Sequence, residues 1–129
     1  MELMKIDEAA AFCPYYHHAV ELIGRRWTGA ILRAMLVGLS RFSDLTGAIP
    51  GLSDRMLSER LKELEAEGLV VRSVIPETPV RIEYHLTEKG RSLFSVVEAV
   101  ADWAEEWLAH PGSSTSEAEA HPPSRVKAS

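Results

Sequence analysis

The sequence predicts a mainly α-helical domain that carries one small β-hairpin. Apolar residues recur at helical spacing in several segments before residue 68. Two short β-branched runs, 69–75 and 80–86, then follow, separated by the proline-rich tip "PETP". A final amphipathic segment, about 88–110, closes the domain. We expect residues 1–12 to form an N-terminal arm and the polar, proline-rich residues 111–129 to form a disordered tail.

Length and composition are those of one globular domain. The chain has 129 residues, of which 46% are hydrophobic and 26% charged. No apolar run approaches the roughly 20 residues that span a bilayer, and the N-terminus lacks the pattern of a signal peptide. The single cysteine, Cys13, excludes a disulfide within one chain and suits a reducing compartment. We therefore expect a cytoplasmic protein with no membrane partner.

The charge is unevenly distributed along the chain. The net charge is −5, yet seven basic residues stand against three acids between Arg25 and Lys62. Four acids and no Lys or Arg occupy residues 92–110. A basic middle and an acidic C-terminal helix permit binding to nucleic acid despite the acidic total.

The first half of the domain reads as four helices. Pro14 starts a helix that Gly24 ends, and Thr28 begins a second helix with Gly38 as its C-cap. A short extended segment, Arg41–Phe42, precedes a helix over 43–48 with Ser43 as N-cap. Ile49-Pro50-Gly51 forms a tight connection to a helix over 53–67, whose buried face carries Leu57, Leu61 and Leu64.

The second half predicts the hairpin and one long helix. In the second strand Ile82, Tyr84 and Leu86 alternate with Arg81, Glu83 and His85, which gives one buried and one solvated face. Thr87 then opens a helix running to about His110. Its two apolar rows exceed what one core can cover, so we expect one row to meet a partner chain. The candidate dimer residues are Leu93, Val97, Val100, Trp103, Ala104 and Trp107.

A short helix, a tight turn and a longer helix with a polar face, followed at once by a hairpin, make a winged helix-turn-helix that is dimeric through its terminal helices. The helix over 53–67 would enter the major groove, with Arg55 contacting guanine and Met56 and Ser58 reaching nearby bases. Glu59 either accepts from a cytosine amine or pairs with Arg55 or Lys62. The alternative is an ordinary amphipathic helix whose charged face is solvated.

Further DNA contacts are expected around this helix. Ser53 is both a candidate N-cap and a phosphate contact, and Arg41 and Ser43 are candidate phosphate contacts. Arg81 lies just past the wing tip and would reach a minor groove or its phosphates, unless it pairs with Glu83 or Glu77. Arg25 and Arg26 either touch the DNA backbone or only solubilise their turn. The predicted DNA-binding residues are Arg41, Ser43, Ser53, Arg55, Met56, Ser58, Glu59, Lys62 and Arg81.

Cys13 supports two readings. A thiol at a helix N-terminus is a candidate redox sensor, whose oxidation would give an intersubunit or mixed disulfide. It is equally a small buried hydrophobe. Cys13 with His17 lacks the ligands to complete a metal site, so we expect no metal and no cofactor. The aromatic residues of the terminal helices could line a ligand cavity, but core and dimer packing suits them better.

The chain resembles the HxlR family of bacterial winged-helix transcription regulators, relatives of the MarR group. The resemblance runs from about Cys13 to Trp107. It is carried by Cys13-Pro14, "LIGRRWTGAILRAM" (22–35), "RFSDLTGAIPGLSDRMLSERLKELEAEGLVVR" (41–72) and "YHLTEKGRSL" (84–93). The family commonly has Gly-Lys-Trp-Thr where this chain has Arg25-Arg26-Trp27-Thr28, a departure that keeps positive charge.

The resemblance implies a homodimer that binds an inverted-repeat operator in double-stranded DNA, associated with the nucleoid, as a repressor or an activator. Some members sense oxidants or electrophiles through a cysteine at the position of Cys13, so an oxidant or small-molecule effector is a candidate partner. Nothing in the sequence predicts an enzyme, since no phosphate-binding loop or catalytic grouping stands out. The alternative function is a winged-helix module that docks proteins, which the acidic total would suit.

Overall fold

The computed structural model describes residues 11–110, so most of the predicted arm and the whole predicted tail, residues 111–129, lie outside the described residues. The described chain divides into two compact units, one ending at Arg91 and the other beginning at Ser92. The elements are α1 Pro14–Ile23, α2 Thr28–Leu36, α3 Phe42–Ala48, α4 Asp54–Ala66, β1 Val70–Ile75, β2 Arg81–Leu86, α5 Glu88–Arg91, α6 Phe94–Ala104 and a π-helical turn, Glu105–Ala109. The predicted winged helix-turn-helix is confirmed.

Cap residues set the ends of α1 and α2. Cys13 is the N-cap of α1, where its Sγ accepts a hydrogen bond from the Tyr16 amide at 3.5 Å, and Pro14 occupies the first helical position. Gly38 was predicted as the C-cap of α2, but the C-cap is Val37, and Gly38, with φ +116°, follows it. Its amide donates to the Met35 carbonyl, while the Leu39 amide donates to Ala34, the pairing of a Schellman motif.

The helix-turn-helix follows the prediction except at the start of α3. Ser43 was predicted as the N-cap, but the helix begins one residue earlier and its N-cap is Arg41. The cause lies in β2: the Tyr84 amide donates to the Ser40 carbonyl at 2.8 Å, and Arg41 forms a β-bridge with Glu83. Because residues 40 and 41 are held beside the sheet, the chain turns into the helix at Phe42.

The core of the first unit is built mainly from α2, α3 and α4. The predicted buried face of α4 is confirmed, since Leu57, Leu61 and Leu64 are fully buried. They belong to an apolar set that is completed by Ile31, Leu32, Met35, Leu45, Ile49, Leu52, Leu69 and Val70. Burial of this kind stabilises a domain by roughly 1.5–3 kcal/mol for each large aliphatic side chain. It also fixes which face of α4 is left outside.

The two strands pair antiparallel, from Val70 opposite Leu86 to Ile75 opposite Arg81. The predicted alternation along β2 is only partly right. Glu83 was expected on a wet face, yet its side chain is only 17% exposed because Arg81 and His85 close over it. The ion pairs have converted an outward polar position into a half-buried one.

One long C-terminal helix was predicted, and the structure has two helices with a break at residues 92–93. Just before α5, Thr87 Oγ1 accepts from the Gly90 amide and donates to the Gly68 carbonyl. Gly90 is buried against the Leu69 carbonyl. The first turn is thus held to the start of the hairpin, and Gly90 and Ser92, both weak helix formers, lie where the helix ends. Within residues 11–110 no helix is long and apolar enough to cross a membrane.

Candidate nucleic-acid interface

The turn between α3 and α4 sets the angle at which α4 leaves the domain. Pro50 and Gly51 occupy its centre, the Leu52 amide donates to the Ile49 carbonyl at 3.2 Å, and Gly51 has φ +86°. These are the features of a type II turn, in which proline suits the second position and glycine the third. Leu52 and Ile49 are buried on either side of it. The turn is therefore rigid and anchored at both ends.

The outward face of α4 carries the predicted base-contacting side chains. Arg55 has 88% of its side chain accessible, and its Nε lies 3.4 Å from Glu59 Oε2. Lys62 is exposed one turn after Glu59, while Met56 and Ser58 are half-buried on the flanks of this face. A loose ion pair with an exposed carboxylate contributes little and is readily exchanged for another acceptor. Arg55 is thus available to a ligand at the surface.

The N-terminus of α4 has the geometry of a phosphate site. Ser53 is its N-cap, as predicted, and the Oγ accepts from the Met56 amide at 3.1 Å. The hydroxyl hydrogen remains able to donate, and the first amides of a helix have no partner within it. Arg41 and Ser43, both exposed, lie at the start of the neighbouring helix α3. All three retain the chemistry that was expected of phosphate contacts.

Arg81 is engaged by carboxylates, which was the alternative considered for it. Its Nη1 donates to Glu77 Oε1 at 3.0 Å and its Nε lies 2.8 Å from Glu83 Oε2. The expectation that it faces open solvent is wrong, because its side chain is only 30% exposed. A hydrogen bond from His85 lowers the pKa of Glu83; partial burial opposes this and the Arg81 charge reinforces it, with the net pKa below its ordinary value. Any DNA contact by Arg81 must compete with this cluster.

The sequence did not predict the structural contacts of two α4 residues, Arg60 and Glu63. Arg60 is 8% exposed, and its Nε donates to the Arg26 carbonyl at 3.0 Å. Its Nη1 donates to Glu63 Oε2 at 2.8 Å, and Glu63 Oε1 makes an ion pair with Arg25 Nε at 3.0 Å. A signal was present, since Arg60 lies three residues after Leu57 and four before Leu64, on the buried side of α4.

The α1–α2 turn that receives these contacts is unusual. Trp27, the N-cap of α2, has φ +77°, a conformation uncommon outside glycine. The Arg26 guanidinium lies 5.2 Å from the centroid of the Trp27 ring. The edge of that ring also faces Gly51, where an added Cβ would approach it to 3.3 Å. Of the two arginines, Arg25 is committed to an ion pair and Arg26 to an aromatic ring.

The candidate dimer residues all lie in the second unit. No side chain of α6 or the π-helical turn is fully buried. Leu93, Val97 and Ala104 are half-buried, whereas Val100, Trp103 and Trp107 are 41–61% exposed. With Val96, those three form a stripe at spacings of four, three and four residues. In the first unit, α1 likewise has no buried residue, and Tyr15, Tyr16 and Val20 are exposed.

The Cys13 thiol is exposed, so the alternative of a buried small hydrophobe is wrong. Its place as N-cap of α1 leaves the sulfur at the helix surface, with one amide hydrogen bond. In the described part of the chain, no three His, Cys, Asp or Glu side chains are grouped to hold a metal ion. The aromatic residues considered as cavity-lining are exposed instead.

Comparison with protein families and relatives agrees with this geometry. The profile described as HxlR-like helix-turn-helix matches residues 22–111. The HTH-type transcriptional regulator YvaP of Bacillus subtilis is 52% identical over 96 residues, covering 74% of this chain and 89% of YvaP. The HTH-type transcriptional regulator YodB of the same organism is 44% identical over 107 residues, covering 83% of this chain and 95% of YodB.

Solved structures give the same result. The reduced form of YodB superimposes with a TM-score of 0.67 at 44% identity, covering 75% of this chain and 95% of that chain. The oxidized form of the redox regulator HypR gives a TM-score of 0.67 at 38% identity, with 72% and 95% covered. These relatives are transcriptional regulators and not enzymes.

Proposed function

Because the chain belongs to the HxlR-like helix-turn-helix family of transcriptional regulators, we propose that it is a homodimeric repressor that binds an inverted-repeat operator through α4. The observation that carries this proposal is the exposed arginine on a rigidly held helix. Arg55 has 88% of its side chain exposed and lies in the first turn of α4, the helix that connects the type II turn to the hairpin. Arginine in this position suits bidentate contact with guanine O6 and N7.

The other residues of the proposed interface divide into two roles. Met56, Ser58, Glu59 and Lys62 lie on or beside the same face and would read neighbouring base edges. Arg41, Ser43 and Ser53 would hold phosphates at the N-terminal ends of α3 and α4. Arg81 would approach the minor groove only after giving up one of its carboxylates, so we assign it the smallest contribution.

Dimerisation would come from the exposed apolar surfaces of the terminal helices. The stripe formed by Val96, Val100, Trp103 and Trp107 is a contiguous exposed apolar surface, which is unusual on a helix face that contacts only solvent. Helix α1 exposes Tyr15 and Tyr16 in addition. A two-fold axis would place two copies of α4 on half-sites about one helical turn of DNA apart, roughly 34 Å. Inverted-repeat symmetry in the operator follows from that axis. The dimer would work in the cytoplasm, at the nucleoid.

The binding experiment uses sheared genomic DNA together with the promoter of the protein's own gene, at low and moderate salt. We expect saturable retention of a few fragments, weakened by salt, because phosphate contacts release counterions. Arg55→Ala should abolish the preference among fragments. The matched control is Arg33→Ala, which removes the same charge from an exposed position on α2 outside the proposed interface. A folded dimer that retains no fragment would favour the protein-docking module instead.

Redox sensing by Cys13 is the finer part of the proposal. The thiol is exposed at the N-cap of α1. The solved structures of YodB include a diamide-treated and a quinone-bound form. Two thiols would lose two protons and two electrons to an oxidant such as diamide and form one disulfide, between two Cys13 residues or between Cys13 and a small thiol. Oxidation of Cys13 would then shift α1, and the dimer would release the operator.

This part is tested by treating wild-type and Cys13→Ser protein with diamide, with and without glutathione. We expect the wild type to lose operator binding and recover it with dithiothreitol, while intact mass identifies the disulfide formed. A Cys13→Ser protein that still responds to the oxidant would refute the sensor role.

A further inference from the structure

We propose that Glu63 is a positioning residue, which fixes the rotation of α4 against the α1–α2 turn so that Arg55 meets its base. This inference rests on the proposed function, because it concerns how precisely α4 reads DNA. Glu63 lies on α4 itself but contacts no part of the outward face. Its two carboxylate oxygens are instead shared between two arginines, one on each side of a helix–turn contact.

The contact has three linked parts. Glu63 Oε2 accepts a hydrogen bond from Arg60 Nη1 at 2.8 Å, and Arg60 Nε donates a second one to the Arg26 carbonyl at 3.0 Å. Glu63 Oε1 lies 3.0 Å from Arg25 Nε. The side chain of Arg60 is only 10% exposed, so its charge depends on this carboxylate and carbonyl. Arg60 is thus hydrogen-bonded to the Arg26 carbonyl and Glu63 is ion-paired with Arg25, so two residues of α4 contact two successive residues of the turn.

The same turn also holds the other end of the helix-turn-helix. The Trp27 ring edge faces Gly51 in the turn before α4, as the approach of 3.3 Å to an added Cβ shows. The α1–α2 turn therefore touches the α3–α4 turn through Trp27 and the middle of α4 through Arg60 and Glu63. Contacts at two heights along α4 restrain both its rotation about its own axis and its tilt.

Apolar packing does not replace these contacts on the α1 side of α4. An open groove of about 320 Å³ lies between α1 and α4, lined by residues that include Leu22, Ala66 and Glu67. At its far end His18 Nε2 lies 2.9 Å from Glu67 Oε2. No residue of α1 is fully buried, and the polar contacts along this groove are His18–Glu67 and, from the turn after α1, Arg25–Glu63. Leu57, Leu61 and Leu64 hold α4 to the core, and the two hydrogen bonds of Arg60 add a directional restraint that apolar contacts lack.

A small rotation would matter for base reading. Side chains extend to about 5–6 Å from a helix axis, so a rotation of about 20° displaces the head of Arg55 by about 2 Å. Hydrogen bonds to base edges do not tolerate that displacement. Contacts to phosphates are less directional, because long flexible side chains can follow a charge. Loss of the Glu63 contacts should therefore weaken specific binding and spare non-specific binding.

The test compares Glu63→Gln with Glu65→Gln. Glu65 is an exposed residue of the same helix, so both variants remove one negative charge at nearly the same distance from DNA. Affinity is measured for the operator duplex and for a scrambled duplex at one salt concentration. The ratio of the two affinities does not depend on the folded fraction, so a merely destabilised protein would leave it unchanged. Glutamine can still accept from Arg60, so we expect Glu63→Gln to fold.

We expect Glu65→Gln to strengthen both affinities alike and keep the ratio of the wild type. Glu63→Gln should lower the ratio by about tenfold, the order of one lost base contact. Adding Arg25→Gln to Glu63→Gln should lower it no further, because the two residues act through one contact. An unchanged ratio in Glu63→Gln overturns the proposal.

A second measurement tests the contact without DNA. Amide hydrogen exchange of residues 24–28 and 54–66 should be faster in Glu63→Gln than in Glu65→Gln, with the hairpin unaffected. Equal amide exchange in the two variants overturns the proposal, whatever the affinities for the operator show. A wild-type protein without preference for any operator refutes the proposed function, and the positioning role falls with it; faster exchange in Glu63→Gln would then report a structural contact only.

Discussion

Replacement of Gly90 by alanine should destabilise the domain strongly, because the glycine lies against backbone. A Cβ at this position would be 2.2 Å from the Leu69 carbonyl oxygen and 3.0 Å from Leu86 Cδ2. Ordinary contact begins near 3.4 Å, so α5 must move away from Leu69 by about 1.2 Å. The hydrogen bond from the Thr87 amide to the Leu69 carbonyl, now 2.9 Å, cannot survive that shift.

The cost combines two effects. Overpacking costs about 1–3 kcal/mol, and the loss of one or two hydrogen bonds adds about 1 kcal/mol each. We therefore expect Gly90→Ala to lower the free energy of unfolding by roughly 2–5 kcal/mol, and the Tm by on the order of 10–20 °C. Urea and thermal unfolding followed by circular dichroism measure both quantities.

The control for Gly90→Ala is Gly29→Ala. Gly29 lies in α2, and a Cβ there meets nothing within 4 Å. Alanine should leave the stability unchanged or raise it by up to about 1 kcal/mol, because it restricts the unfolded chain. Gly90→Ala protein as stable as the wild type, or an equal loss in both variants, would refute the packing of α5 on the hairpin.

Three further predictions concern the core, the wing and the α6 stripe. Leu61→Ala should cost about 2–5 kcal/mol in urea unfolding, against less than about 0.5 for Glu65→Ala on the same helix; equal costs would contradict the burial of Leu61. The pKa of Glu83 is lowered, so its stabilising effect is present above the ordinary value of 4.5 and is lost as the pH falls through the lowered pKa. In Glu83→Gln the free energy of unfolding should therefore fall less steeply with decreasing pH than in the wild type. The same pH dependence in both proteins would contradict this. Val100→Lys should convert the proposed dimer to monomer in sedimentation velocity, whereas Glu98→Lys, on the polar side of α6, should leave the dimer intact; a dimeric Val100→Lys protein would contradict the role of the stripe.

Local signals were sufficient for most of the fold. Proline and glycine at 50 and 51 predict the turn because only certain residue types fit its backbone, and Leu57, Leu61 and Leu64 predict the buried face because helix geometry puts them together. The cap by Ser53 follows from one residue type at one position. Each of these inferences uses residues within one or two helical turns of each other.

The parts that the sequence did not predict depend on distant partners. Arg60 was counted only as a basic residue, yet it is buried because a carbonyl 34 residues away accepts its Nε hydrogen. Ser43 lost its predicted capping role because residues 40–41 are tied to β2. Arg81 is covered because Glu77 and Glu83 converge on it across the wing. Contacts of this kind are fixed only when the fold brings the partners together.

The arrangement of carboxylates explains how a chain of net charge −5 can present a face suited to DNA. Along α4, Glu63 is turned toward the α1–α2 turn, and Glu67, at the end of the helix, meets His18. Glu59 lies on the outward face beside Arg55, and Asp54 and Glu65 are further exposed acids of α4. A phosphate or guanine that approached Arg55 would exchange one weak, exposed ion pair for a stronger one. Glu63 and Glu67, the acids that hold α4 in place, lie away from the surface that carries Arg55. The same helix can therefore be fixed by carboxylates and still bind an anion through Arg55.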